Sequence, residues 1–168
     1  MWTTGNAQSR EPLASSDEPI PLPEYRGRVV PEALARWCCA SPPVAECGMR
    51  DYHRLEIWRR AHALAITIHG VAQRFRRREL STLRSQLTGA AHSVAANMVE
   101  GCSAPSAREF ARFLAISIKS ASETEYHLLS ARDRKVLVER DWRRLSAEIV
   151  EIRRMTYVYR QRLLEDTE

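Results

Sequence analysis

A single proline, Pro105, interrupts the 120 residues that follow Gly48, whereas the other seven prolines all stand before it. Proline removes a backbone donor and clashes with the preceding helical turn, so only the later part of the chain is free to hold long helices. The earlier part, with phrases such as "DEPIPLPEY" and "CCASPPVAECG", predicts an extended or disordered leader over residues 1–48. One helical turn is allowed at residues 31–37, where proline takes the first position. Met49 stands just before the periodic region, so the leader is expected to be either a disordered tail or a stretch upstream of a start at Met49.

Beyond residue 49, apolar side chains recur at helical spacing in four stretches. The first helix is predicted over residues 52–75, with Leu55, Trp58, Ala61, Ala65, Ile68, Ala72 and Phe75 on one stripe. The second, over residues 80–102, carries Leu83, Leu87, Ala91, Val94 and Met98 inward. "SAPS" then breaks the chain, and Ser106 followed by Glu109 fits a capping box that opens a third helix reaching about residue 134. Its inner line is Phe110, Leu114, Ser117, Ala121 and Leu128. The fourth is expected to begin near Asp141 as N-cap and repeats Leu145, Ile149, Ile152, Thr156, Tyr159 and Leu163. No stretch alternates like a strand. Short connections between long amphipathic helices make neighbours antiparallel, so residues 49–168 predict an all-α, up-down-up-down four-helix bundle behind a disordered N-terminal leader.

Several function classes are disfavoured by what is missing. The cysteines at 38, 39, 47 and 102 form neither a CxxC pair nor a zinc spacing, which fits a reducing, cytoplasmic compartment better than a disulfide framework. No apolar run reaches the roughly 18 residues that cross a bilayer, and "MWTTGNAQSR" lacks the charged start and apolar stretch of a secretory signal. His62 and His69 are seven residues apart, too far for an i, i+4 metal clamp. No nucleophile and base stand at local spacing. The chain is therefore expected to be non-enzymatic, with no metal and no cofactor. Aromatic residues such as Trp58, Phe75, Phe110, Phe113, Trp142 and Tyr159 are read as core packing before a base-stacking platform.

Charge is more informative. The first 48 residues sum to −2 and the remaining 120 to +7, almost all of it from arginine, since lysine occurs only at Lys119 and Lys135. In an up-down-up-down bundle the first and third helices end where the second and fourth begin. That end collects Arg74, Arg76, Arg77, Arg78, Arg84, Arg132, Arg134, Lys135, Arg140, Arg143 and Arg144 against Glu79, Asp133, Glu139 and Asp141, again a sum of +7. Cations at helix C-termini are favourable with the helix dipole, but Arg140, Arg143 and Arg144 stand near a helix start and oppose it. A rim of this kind attracts polyanions such as RNA or DNA without reading bases.

"HSVAANMVEG" (residues 92–101) raises a second question. Gln86, Ser93, Asn97 and Glu100 form a polar stripe beside the core line, closed by Gly101, while Ala95, Ala96 and Val99 leave the other faces too apolar for a wet surface. Such a helix is expected to pack inside the bundle and also against another subunit. The stripe is read either as a structural network fixing register or as a contact for ligand or nucleic acid at a subunit junction; Ser120, Glu123 and Glu125 are its candidate partners.

Taken with "DYHRLEIWRRAHALA", "REFARFLAIS" and "SASETEYHLLSAR", the run "SQLTGAAHSVAANMVEG" resembles the four-helix bundle family of 23S rRNA intervening-sequence proteins, in order over about residues 50–160. The resemblance implies a small bundle that forms a homo-oligomer, a ring-shaped pentamer, with a bacterial origin in insertions within ribosomal RNA genes. Similar accessory proteins of diversity-generating retroelements bind nucleic acid beside a reverse transcriptase. Three positions depart from the family pattern: Gly89 replaces the usual Arg before the paired alanines, Arg76 the usual Pro, and Lys119-Ser120 the usual Gly-Ser. Gly89 in mid-helix costs about 1 kcal/mol relative to Ala unless close packing needs it. The expected function is an oligomeric bundle of this type binding RNA or DNA through its basic rim; the alternative is a structural or regulatory oligomer with a protein partner, such as a reverse transcriptase.

Overall fold

Local signals, more than periodicity, decide where each helix begins and ends. The computed structural model describes residues 50–75 and 77–166; the leader, its turn at residues 31–37, three of the four cysteines, the question of Met49, and Arg76 lie outside them. Four helices follow one another: α1 Glu56–Ala72, α2 Ser81–Cys102, α3 Ala107–Asp133 and α4 Glu139–Glu165. No strand occurs among the described residues.

α1 is shorter than its apolar stripe at both ends. Asp51 accepts a hydrogen bond from the backbone N–H of His53 at 3.0 Å and shapes a separate 3₁₀ turn, Tyr52–Arg54. Leu55 is extended, so the helix restarts at Glu56. At the far end the helix stops at Ala72, and Phe75 enters the core from the connection, 2% exposed. The third helix starts as expected: Ser106 is its N-cap and its hydroxyl accepts from the Glu109 N–H at 3.1 Å.

The expected start of the last helix at Asp141 is corrected. α4 begins at Glu139 with Val138 as N-cap, and Asp141 sits buried in the first turn. The cause lies upstream. Lys135 adopts φ 59°, and the N–H groups of Lys135 and Val136 bond back to the carbonyls of Arg132 and Ala131. This is a Schellman closure of α3 with lysine in the left-handed position that glycine usually fills. The chain is thereby reversed within three residues, Leu137 is driven into the core at 5% exposed, and α4 resumes directly after it.

Contacts between helices fix their directions. Residues 93, 94 and 101 of α2 meet residues 120, 117 and 110 of α3, so the numbering runs oppositely. Phe110 and Glu125 of α3 meet Tyr159 and Arg153 of α4 in the same opposed sense. Arg50 and His69 meet Cys102 and His92. α1 also packs on α4, which closes the ring of four. Here the Arg60 guanidinium donates from Nε and Nη2 to both carboxylate oxygens of Glu148, each at 2.8 Å, and its basicity is raised chiefly by that bond. The core inside the ring contains the expected inward residues of all four helices, with Leu55, Trp58, Trp142 and Tyr159 partly buried against it. Ile57, Leu64 and Val71 join them, which the single stripe assigned to α1 did not include.

Gly89 has no atom within 4 Å of where a Cβ would stand, so close packing within the bundle does not require it. Gly89→Ala is therefore expected to raise stability by about 1 kcal/mol, the helix-propensity difference alone. Chemical denaturation of dilute protein checks this; a loss of stability would show a neighbour at that position.

Candidate functional site

The polar stripe divides once the helices are in place. Ser93 and Asn97 are half-buried at the α2–α3 seam, while Gln86 and Glu100 are exposed. The Ser93 and Ser120 hydroxyls share a hydrogen bond of 2.9 Å. Asn97 Nδ2 donates to the Ser93 carbonyl at 2.7 Å and to its hydroxyl at 3.0 Å. Deeper in, Ser117 donates to the Val94 carbonyl at 2.8 Å and Thr124 to the Ser120 carbonyl at 2.8 Å. Hydroxyls that bond across two helices contribute about 1 kcal/mol each and set register more than strength. Of the proposed partners only Ser120 joins this group. Glu123 approaches His127 at 3.5 Å, and Glu125 pairs with Arg153 of α4.

Glu100 makes no side-chain hydrogen bond or ion pair among the described residues. Gly101 closes the stripe for a steric reason. A Cβ there would lie inside the radius of Phe110 Cδ2, 2.8 Å from Phe110 Cε2 and 2.9 Å from Phe113 Cβ. Next to it, burial pushes the Cys102 thiol up to about 11, against the opposing pull of Arg50, which leaves it a protonated, buried side chain. Among the described residues no group of three His, Cys, Asp or Glu side chains is placed to hold a metal ion.

The arginine-rich end is built from the two connections. Arg74, Arg77 and Arg78 stand exposed between α1 and α2; Arg134 and Lys135 stand exposed between α3 and α4. The stagger that sets Ser93 beside Ser120 places half-buried Arg84, two turns nearer the α2 start, at the level of the last turns of α3. Arg140 and Arg143 are exposed on the first two turns of α4, and with Arg144 and Glu139 they line an open depression. Arg132 stacks its guanidinium over the Trp142 ring at 4.1 Å, tying the end of α3 to the start of α4.

Acidic residues at this end are largely engaged. Asp133 pairs with Arg132 at 2.7 Å, Glu139 with Arg143 at 2.8 Å, and Glu79 with Arg77 at 4.0 Å. Asp141 is buried. No ion pair among the described residues involves Arg74, Arg78, Arg84, Arg134 or Lys135. Four of these lie on the two connections and Arg84 on the second turn of α2, and all face solvent at least in part, which leaves a surface able to meet several phosphates at once.

Residues 53–158, from the turn before α1 to two turns short of the end of α4, match the family model of the 23S rRNA-intervening sequence protein. No curated protein matches the chain.

Proposed function

The chain belongs to the 23S rRNA-intervening sequence protein family, and from that premise we propose that it acts without catalysis, as a cytoplasmic oligomer of four-helix bundles that holds RNA or DNA electrostatically at its arginine-rich end. The observation that carries this reading is the set of cations left without an ion pair on the two connections at one pole of the bundle. Guanidinium groups bind phosphate oxygens in forked pairs, and charges spread over two connections track a backbone instead of a base. The Trp142 ring is covered by Arg132, which argues against stacking there and for phosphate contact.

Assembly into a ring, the pentamer implied by the sequence resemblance, would repeat this pole once per copy and join the copies into a continuous basic rim. A second reading, contact with another protein, is favoured by a different part of the surface: the exposed side of α1 and α2 carries no formal charge over most of its length. That side suits a protein face and not a phosphate backbone.

Fluorescence anisotropy of labelled single-stranded and duplex oligonucleotides, titrated with the full chain at rising potassium chloride, tests the first reading. Five or so phosphate contacts give a slope of log affinity against log salt of about −4 for duplex. No binding at low salt, or binding that ignores salt, would overturn it.

A further inference from the structure

One run of the sequence carries charge of the sign opposite to the arginine-rich end. Residues 11–24, "EPLASSDEPIPLPE", hold Glu11, Asp17, Glu18 and Glu24 and no basic side chain. No other stretch of the sequence gathers four carboxylates without an intervening lysine or arginine. Pro12, Pro19, Pro21 and Pro23 deny this run a helix, and an open backbone lets separate carboxylates meet separate cations.

Reach depends on where the run is tethered. The described chain begins with the Arg50 N–H bonded to the Cys102 carbonyl at 3.1 Å, at the end of α2. The arginine-rich connections lie around the start of α2, whose 22 residues at 1.5 Å each set the two poles about 33 Å apart. About 26 residues join Glu24 to Arg50, a tether with a root-mean-square span of about 28 Å and a full extension beyond about 80 Å. The run therefore reaches the far pole without strain. Tethering presents it there at a local concentration on the order of millimolar.

The far pole is also the better host. Arg74, Arg78, Arg84, Arg134 and Lys135 have no ion pair among the described residues. Glu79, Asp133 and Glu139 are already engaged, and Asp141 is buried. Four carboxylates thus face five cations that lack an anion, and a guanidinium takes a carboxylate in the same forked geometry as a phosphate. Elsewhere the arginines are answered: Glu148 holds Arg60 and Glu125 holds Arg153. The near pole exposes Asp51, Glu109, Glu165 and Asp166, which repel an acidic run.

We propose that residues 11–24 of this chain dock on its own arginine-rich pole and compete there with nucleic acid, so that the leader sets how tightly the bundle holds a polyanion. The contact stands on charge and reach, whereas the competition rests on the function proposed above. Nucleic acid then binds only the undocked fraction, and its apparent affinity falls by that fraction.

A carbodiimide joins a carboxylate directly to an adjacent amine, and the chain has two lysines, Lys135 on the pole and Lys119 on the outer side of α3, both exposed. Lys119 is nearer to the tether by about 20 Å of helix, so a leader with no preferred seat meets it first. Mass spectrometry of the treated full chain is expected to find residues 11–24 joined to Lys135, and the link to vanish at about 1 M potassium chloride. In low-salt anisotropy, the full chain carrying Glu11→Gln, Asp17→Asn, Glu18→Gln and Glu24→Gln is expected to bind a labelled single-stranded oligonucleotide at least about tenfold tighter than wild type. Glu100→Gln, Glu109→Gln, Glu165→Gln and Asp166→Asn change net charge equally at the other pole, on exposed side chains, and are expected to gain far less. Links to Lys119 alone, or no link, overturn the contact. A link to Lys135 with affinity unchanged by neutralising the leader overturns the competition, as do equal gains from the two sets of substitutions. Absence of binding by all three chains overturns the polyanion reading and the competition with it, while the link to Lys135 still decides the contact.

Discussion

Gly101→Ala is expected to destabilise the bundle by about 2 kcal/mol, the opposite sign to the same change at Gly89. Alanine is the better helix former by about 1 kcal/mol, so the steric cost at Gly101 must exceed that gain, and overpacking a filled core costs up to about 3 kcal/mol. Three features place this site at the upper end. The Phe110 ring that the new methyl would strike is wholly buried. It is held edge-on by Tyr159 at 5.9 Å and lies beneath the Arg50 guanidinium at 5.2 Å, so it has little room to turn. The Phe113 Cβ is fixed to its own backbone and cannot yield without moving α3. Thermal unfolding at fixed protein concentration should show a midpoint lower by about 8 °C for a body of this size. Phe110→Leu in the same background should recover part of the loss through a coupling of about 1 kcal/mol, since it vacates the space the methyl needs. Equal effects at Gly89 and Gly101 would mean that α2 and α3 do not approach closely there.

Reversing one cation on each connection, Arg78→Glu with Arg134→Glu, should weaken nucleic-acid binding by about a hundredfold and make the salt slope shallower by about 2. Both side chains are exposed and neither forms an ion pair among the described residues, so their loss should not disturb the fold. Arg108→Glu with Arg112→Glu is the matched comparison. It changes net charge equally but sits on the first turns of α3, at the other pole. A rim that binds as one surface should respond to the first pair far more than to the second. Equal losses would mean that overall charge, and not this end of the bundle, attracts the polyanion.

Much of the fold was legible because helical periodicity reports burial directly. Leu83, Leu87, Ala91, Val94 and Met98 mark the inward line of α2 in both sequence and structure, and Ser106 announces the start of α3 by its own hydrogen bond. Boundaries were less legible where a tertiary demand outweighs a local one. Asp141 carries the chemistry of an N-cap, yet with Leu137 buried after the left-handed Lys135 the N-cap falls three residues earlier, at Val138.

The polar stripe shows a different limit. Spacing places Ser93, Asn97 and Glu100 on one face, but only the position of α3 separates the half-buried pair from the exposed carboxylate. Pairs such as Arg60 with Glu148 leave no trace at any helical spacing, because 88 residues separate them. The uncharged side of α1 and α2 was legible only in part. The apolarity of α2 pointed to a partner, while its continuation across α1 needs the two helices side by side.

The fork between Arg60 and Glu148 also bears on how this chain must be made. It joins the first helix to the last, so a nascent chain leaving the ribosome cannot close its bundle until α4 has emerged. At 5–20 residues per second, synthesis of the intervening 88 residues takes about 4–18 s. For that interval the apolar stripes of α1, α2 and α3 lack their fourth wall, which makes translation the period in which chaperones would find the most to hold.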